Sequence, residues 1–313
     1  MIEVVEPGSL TSVQAAGGRP GWRHLGVPVG GAADGWSARL ANRLVGNADD
    51  AALLEVTLVG PTLRFVTRAR VALAGARFEA SLDGLAIASF VTHEAREGST
   101  LRIGAGDGAR AYLAMAGGIE VEPLLGSAAT DLRSGFGGLE GRALRAGDVM
   151  ALGPASDVAR RWTGALPEGP IRIVDGPHVD SLGPGALADA EWTVSTAADR
   201  AAVRFDGPHL APSESDVASM GLPLGAIQVP PDGHPIVMLA DRPVTGGYPV
   251  PGCVIGADVG RVARLRPGDT VRFASVSPQD ARRAFRDRED ELAALAQAGA
   301  PEDDELGWTG ALE

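Results

Sequence analysis

Glycine constrains this chain more than any other feature: there are 43 among 313 residues, close to twice the roughly 7% of ordinary usage, scattered between short apolar runs. That spacing calls for many tight turns. The runs between them, 53–58 (LLEVTL), 70–73 (RVAL), 111–115 (AYLAM) and 235–239 (PIVML), have the length and residue types of strands. A mainly β protein is expected. Two segments read as helices. From Asp34 to Gly46, Trp36, Leu40 and Leu44 recur every fourth position, with Asp34 as N-cap and Gly46 as stop. Near the end, Ser277-Pro278 opens a helix whose apolar face is Ala281, Phe285, Leu292 and Leu295, running to Gly299, with Arg282, Arg283, Arg286 and Arg288 on its solvated side. The acidic stretch 301–313 is expected to be loose.

At this length a chain usually splits into two hydrophobic cores. The run 144–149 (LRAGDV) is echoed by 265–271 (LRPGDTV), each a turn entering a strand, although Gly-Asp turns are common in any all-β chain. A proline- and glycine-punctuated stretch, 153–170, lies between them. The expected division is an N-terminal β-barrel at 1–160, a C-terminal β-barrel at 161–280, and a terminal helix with its tail at 281–313.

Charge and composition remove several functions. Net charge is −12, so a nucleic-acid backbone or an anionic membrane would be repelled. All 28 basic residues are arginine, which excludes lysine Schiff bases, a phosphate-loop lysine and biotin carried on this chain. A single cysteine, Cys253, the absence of a basic, apolar leader and the lack of any run of about 20 apolar residues lead to the expectation of a cytoplasmic protein without a membrane span. The five histidines are spaced too widely for two metal ligands on one element, so no metal site is expected.

Three segments carry more polar residues than strand packing requires. In 11–34, Gln14 and Arg19 lie on a glycine-rich loop that can bring backbone N–H groups and a guanidinium to an anion; it reads equally as a long turn. In 116–142, paired glycines permit close approach, and Ser127 and Thr130 offer hydroxyls; no histidine stands near to activate the serine. The densest is 225–249. Gln228, inside an apolar strand, must find hydrogen-bond partners, and Asp241-Arg242 ends the next strand ahead of Thr245-Gly246-Gly247-Tyr248. Asp241 and Arg242 also fit a solvated turn pair. Glu55 fits an inward carboxylate or one at a sheet edge.

In this order the segments resemble the biotin-dependent carboxyltransferase-like family, which includes the C-type subunit of bacterial 5-oxoprolinase and the second subunit of allophanate-hydrolase-type proteins. The resemblance rests on Ser12-Val13-Gln14 with 17–21, 26–28 with 31–34, 41–47 (ANRLVGN), 54–57 (LEVT) with Gly60-Pro61, Gly117-Gly118, Gly126-Ser127, 136–138 with Gly141-Arg142, Asp199-Arg200, 227–230 (IQVP), Asp241-Arg242 and 245–249 (TGGYP). It implies two cyclophilin-like β-barrel subdomains, a B-type partner protein, and an A-type subunit where 5-oxoproline is opened to glutamate with ATP used by the complex. In the alternative activity of the family, a carboxyl group moves to urea or a similar small amide from carboxybiotin held on another protein. A third possibility is a non-catalytic regulatory partner of the B-type protein. The residues it places at an amide site are Gln228, Asp241 and Tyr248 as catalytic groups, with Arg19, Gln14, Ser127, Thr130, Thr245, Gly246 and Gly247 binding substrate; no covalently bound cofactor is expected. The chain departs from the family pattern at Ala15, where an aspartate is usual, at Ala128 and Ala129, where arginine and serine are usual, and at Val250 in place of a lysine; one residue is inserted before Arg19.

Overall fold

The computed structural model describes residues 1–183, 185–213 and 216–297; the loose stretch 301–313 and the helix stop at Gly299 lie outside them. The described residues form two compact units, one comprising Met1–Gly18, Gly35–Ala165 and 290–297, the other Arg19–Asp34 and Leu166–Glu289.

In the first unit the strands are β1 (Ile2–Glu6), β2 (Leu10–Gln14), β3 (Leu53–Val59), β4 (Thr62–Phe65), β5 (Ala69–Gly75), β6 (Phe78–Leu82), β7 (Leu85–Ala86), β8 (Thr92–Ala95), β9 (Thr100–Met115) and β10 (Val149–Met150). They make one ten-stranded sheet, β10-β1-β4-β9-β3-β2, with β5 and β6 also paired to the long β9. Alternation along the strands directs Val13, Leu54, Val56, Val71, Leu73, Ala111 and Leu113 into one core. The residues between them, including Leu53, Ala72, Ala74 and Ala114, are buried as well, because helix α1 (Gly35–Leu44) packs on β3, β5 and β9. Leu40 and Leu44 supply the fully buried stripe of that helix. Its end is the glycine stop expected from sequence. Gly46 has φ +75°, its N–H reaches the Arg43 carbonyl at 3.2 Å, and the Asn47 N–H reaches the Asn42 carbonyl at 2.9 Å, the paired bonds of a left-handed C-terminal cap. The Asn47 side chain then ties this loop to the end of β9 through the Met115 carbonyl and the Gly117 N–H.

The second unit contains β11 (Ile171–Asp175), β12 (Glu191–Val194), β13 (Ala202–Asp206), β14 (Met220–Gly221), β15 (Ala226–Gln228), β16 (Ile236–Met238), β17 (Thr245–Gly246), β18 (Gly252–Val254) and β19 (Thr270–Ser275). Seven strands close into a barrel, β11-β18-β15-β16-β13-β12-β19, through the parallel pairing of β11 with β19. Its interior holds Trp192, Phe205, Ile227, Val229, Val237 and Phe273. Helix α2 (Val259–Arg264) buries Val259, Val262 and Ala263, and β14 with β17 forms a separate two-stranded ribbon. Helix α3 (Pro278–Gln297) starts where Ser277-Pro278 placed it, with the Ser277 hydroxyl oxygen accepting the Asp280 N–H at 3.1 Å. Two details of that helix differ from the sequence reading. Arg288 is buried, sharing the face of Leu292 and Leu295 at i, i+4 and i+7, whereas Phe285 is 48% exposed.

The echoed runs adopt one turn. In each, an aspartate carboxylate accepts the N–H three residues before it at 2.7 Å, Arg145 to Asp148 and Arg266 to Asp269, and a strand follows. The stretch 153–170 is partly fastened to the first unit: Thr92 and Arg160 exchange hydrogen bonds, the Trp162 N–H reaches the Phe90 carbonyl at 2.8 Å, and the Trp162 ring stacks edge-on against Trp36.

One buried carboxylate fixes α2 to the barrel. Asp258 is fully buried and accepts the backbone N–H, Nε and Nη2 of Arg172 together with Nη1 of Arg261. Burial pushes its carboxyl up, but the Arg172 hydrogen bonds and the Arg261 charge outweigh that and hold it below the usual carboxylate range. Such a group stabilises the fold above the unfolded carboxyl's titration and loses that contribution as pH falls through the depressed folded value. Asp258→Asn is expected to cost about 3 kcal/mol at neutral pH, as one-sided loss of a buried pair does. In urea unfolding the gap between variant and wild type should narrow at acid pH; a gap independent of pH would contradict this account.

Candidate functional site

The polar residues singled out from sequence fall into two sets, one in each unit. In the first unit Gln14 ends β2 and is fully buried. Its Nε2 donates to the Ser12 hydroxyl and to the Thr130 carbonyl, both at 3.1 Å. Among the described residues its Oε1, also buried, has no hydrogen-bond partner. Thr130 in turn donates through both N–H and Oγ1 to the Val13 carbonyl, at 3.0 and 2.7 Å, so the glycine-rich segment is stitched to β2 beside Gln14. Close approach explains one of its glycines: a Cβ on Gly138, which has φ +52°, would stand 1.9 Å from Thr130 Oγ1. Ser127 is buried and its Oγ accepts the Ala129 N–H at 3.1 Å, a local turn contact. Glu55, for which the sequence left two readings, is buried with Ser12 opposite it on β2 and Tyr112 opposite on β9. The Tyr112 hydroxyl donates to Glu55 Oε2 at 3.0 Å, and Arg110 Nε lies 3.8 Å from Oε1.

The second unit holds the larger set. Because Ile227 and Val229 point into the barrel, alternation turns Gln228 outward. It is nonetheless only 4% exposed, covered by the ribbon β14–β17, in which Met220 pairs with Gly246 and Gly221 with Thr245. Ala226, Ile236, Met238, Leu222 and Val250 form the apolar cluster on this outer face. The Gln228 amide lies against the α-carbon of Gly246, where a Cβ would meet Nε2 at 2.6 Å and Leu222 Cδ1 at 2.9 Å. Its Nε2 makes a long contact of 3.4 Å with the Tyr248 carbonyl, while the Tyr248 ring itself is 42% exposed. Gln228, Thr245, Gly246 and Tyr248 are thus gathered at one place, and Gly247 joins the same segment through its carbonyl, which accepts the Val217 N–H at 2.9 Å.

Arg19 and Asp241 meet at the glycine loop. A Cβ on Gly30 would lie 3.4 Å from Arg19 Nη1 and 3.6 Å from Asp241 Oδ1, and Gly30 N–H donates to the Ala240 carbonyl at 3.2 Å. Asp241 is gripped by Arg200 in a two-pronged pair, Nε to Oδ2 at 2.8 Å and Nη2 to Oδ1 at 3.1 Å. Arg200 Nη2 also donates to the Gly31 carbonyl at 2.6 Å. A paired geometry of this kind holds a carboxylate in one orientation, which suits it to positioning its neighbours. Asp34 is ion-paired as well, with Arg264, and unlike Asp241 it is buried.

Sequence reasoning overlooked Arg23. It opens the turn Arg23–Leu25 and donates Nη2 to the carbonyls of Leu222 and Val244, both at 2.8 Å. Arg242 Nε reaches the same Leu222 carbonyl at 3.0 Å, and its Nη1 reaches Leu239 at 3.1 Å. Burial first, then the charge of Arg23, pushes the ionisation of Arg242 down, to about 10. Burial pushes the neighbouring Cys253 thiol up, against the pull of Arg242, so this cysteine is no activated nucleophile. No signal in the local sequence separates Arg23 from a surface turn arginine; only the long-range contact does.

Fold and site define a mainly β protein in which a closed barrel carries a buried amide side chain beneath a glycine ribbon. The chain belongs to the family of carboxyltransferase domains, subdomains A and B, whose pattern matches residues 25–275. It is similar to the C-type subunit of 5-oxoprolinase from Escherichia coli, with 37% identity over 297 residues, which are 92% of this chain and 96% of that protein. It is also similar to urea amidolyase of Saccharomyces cerevisiae, 33% identical over 312 residues, covering 90% of this chain but 17% of that enzyme. Among solved structures, the K. lactis urea amidolyase superposes with a TM-score of 0.89 at 32% identity, over 97% of this chain and 20% of that one. These relatives are, by name, enzymes or enzyme subunits. No helix among the described residues is long and apolar enough to cross a membrane.

The fit of Gln228 beneath Gly246 leaves no room for a methyl group. Gly246→Ala is expected to cost about 1–3 kcal/mol, as overpacking does, and to move the Gln228 amide. Thermal unfolding and a crystal structure of the variant check this; an unmoved Gln228 at unchanged stability would contradict the packing described.

Proposed function

We propose that this chain is the C-type subunit of an ATP-dependent 5-oxoprolinase-like amide hydrolase, acting with a B-type and an A-type partner to open 5-oxoproline to L-glutamate. The observation that carries the reading is the 37% identity to a C-type 5-oxoprolinase subunit along 96% of that protein. Local chemistry supports it. A cyclic amide presents one N–H and one C=O on the same edge, and the side-chain amide of Gln228 offers the complementary donor and acceptor. The backbone from Thr245 to Tyr248 supplies further polar groups beside it, and Arg200 orients the Asp241 carboxyl group at the loop position Gly30 that Arg19 also flanks. Preorganised groups of this type favour a developing negative charge on the attacked carbonyl oxygen when their donors face it. Use of ATP is assigned to the complex and to no residue of this chain.

A second reading is favoured by the likeness to urea amidolyase at a TM-score of 0.89: transfer of a carboxyl group to urea or a similar amide from carboxybiotin. Biotin would then arrive on another protein, since this chain has no lysine to carry it. The departures at Ala15, Ala128, Ala129 and Val250 motivate the third, a regulatory subunit of the B-type protein.

Reconstitution separates the three. With both partners, 5-oxoproline and ATP, glutamate should form, and Gln228→Ala should lower its rate by about tenfold or more, the scale of one lost positioning contact, without loss of assembly. Tyr248→Phe tests the exposed hydroxyl in the same assay. Failure to form glutamate, together with urea-dependent loss of label from carboxybiotin, would replace the first reading by the second. Unchanged turnover in a Gln228→Ala, Tyr248→Ala double variant would favour the regulatory role.

A further inference from the structure

We propose that Arg23 and Arg242 together form a binding site for a planar carboxylate at the edge of the ribbon that covers Gln228. The chain carries 40 acidic residues against 28 arginines, and two other arginines of the barrel unit with little exposure sit against carboxylates, Arg200 on Asp241 and Arg261 on Asp258. Arg23 and Arg242 do not. Among the described residues all their hydrogen bonds go to the neutral carbonyls of Leu222, Val244 and Leu239, and both guanidiniums share the oxygen of Leu222. Arg242 is 8% exposed. Two like charges converging on one oxygen, one of them buried, raise each other's energy, and carbonyl dipoles compensate only in part. An anion between them would complete the balance.

The geometry provides the donors. Arg23 uses only Nη2 and Arg242 only Nε and Nη1, so Nε and Nη1 of Arg23 and Nη2 of Arg242 have no acceptor among the described residues. None of these nitrogens is sealed from solvent. Guanidinium forks match the two oxygens of a carboxylate in one plane, and the carbonyls already hold both forks in place, which reduces the ordering cost on binding. The position is contiguous with the amide pocket, because Leu222 joins them. Its carbonyl receives both arginines, while its side chain and the Gln228 amide flank the same α-carbon of Gly246. A ligand bearing both an amide and a carboxylate therefore meets two complementary subsites on one ribbon. That the carboxylate belongs to 5-oxoproline rests on the proposed function; the anion site itself does not.

The test is calorimetric, on the full chain, with 5-oxoproline, with 2-pyrrolidinone as the same ring without its carboxylate, and with acetate as a bare carboxylate. Variants are Arg23→Gln, Arg23→Lys and Arg242→Gln, each checked by thermal unfolding. Wild type should bind 5-oxoproline and acetate in competition with chloride. Each glutamine variant should weaken both by about tenfold or more, with Arg23→Lys intermediate, and 2-pyrrolidinone should bind all proteins alike. Acetate binding that depends on the arginines, with no 5-oxoproline binding to any protein, would sustain the anion site and sink the 5-oxoproline reading. Binding of 5-oxoproline at equal affinity to wild type and to Arg23→Gln would overturn the site and leave that reading intact. Should Arg242→Gln fail to fold, a wild-type crystal soaked in bromide decides: an anomalous peak between the two guanidiniums supports the site, and its absence overturns it.

Discussion

The parallel pairing of Ile171–Ile173 with Phe273–Ser275 closes the barrel, and much of the candidate site follows from closure. A closed sheet has an inside and an outside fixed by the two-residue period of its strands. With Ile227 and Val229 directed to the interior, Gln228 between them has to face outward, where a polar side chain would ordinarily meet water. Here it does not, because the chain returns over it as a ribbon and an apolar cluster surrounds it. Burying an amide without full hydrogen bonding is costly. Gln228 has one long contact, to the Tyr248 carbonyl, which leaves most of its hydrogen-bonding capacity unused among the described residues.

Glycine at 246 makes that cover possible. A ribbon bearing side chains on its inner face would push the Gln228 amide away, whereas a bare α-carbon admits it at contact distance. The same device recurs in the first unit, where Gly138 gives way to the Thr130 hydroxyl and the loop closes beside Gln14. Here the abundance of glycine reflects close approach of backbone to polar side chains as well as the turns between strands.

Strands and the first helix are legible in the sequence because their periods are local. The apolar run 53–58 and the every-fourth-residue pattern from Trp36 to Leu44 need no knowledge of tertiary contacts. Gln228 is legible for a related reason, since one amide in an apolar strand must be partnered wherever the strand goes. Glu55 is ambiguous because alternation distinguishes two faces without saying that both are covered, and α1 buries the second. Arg288 is misplaced when charge is weighed above its i, i+4, i+7 spacing to Leu292 and Leu295. Arg23 is not legible at all: its partner carbonyls stand 199 and 221 residues further along the chain, and only the folded path of the ribbon brings them within reach.

The departures from the family pattern take on a physical meaning in this setting. Ala15, Ala129 and Val250 are 3%, 0% and 2% exposed, and Ala128 packs against the first unit's core. At Val250, where a lysine is usual, the side chain belongs to the apolar cluster beneath the ribbon and its N–H donates to His178 Nδ1 at 3.1 Å. A lysine there would need a path out of that cluster or a partner within it. The positive charge at the ribbon comes from Arg23 and from Arg242, the latter within the Asp241-Arg242 run of the family resemblance, and both guanidiniums are held by backbone carbonyls. A rigid fork in place of a flexible ammonium favours planar two-oxygen anions over point charges. Under the proposed carboxylate site, the ribbon's selectivity would rest on these two guanidinium forks as much as on the amide beside them.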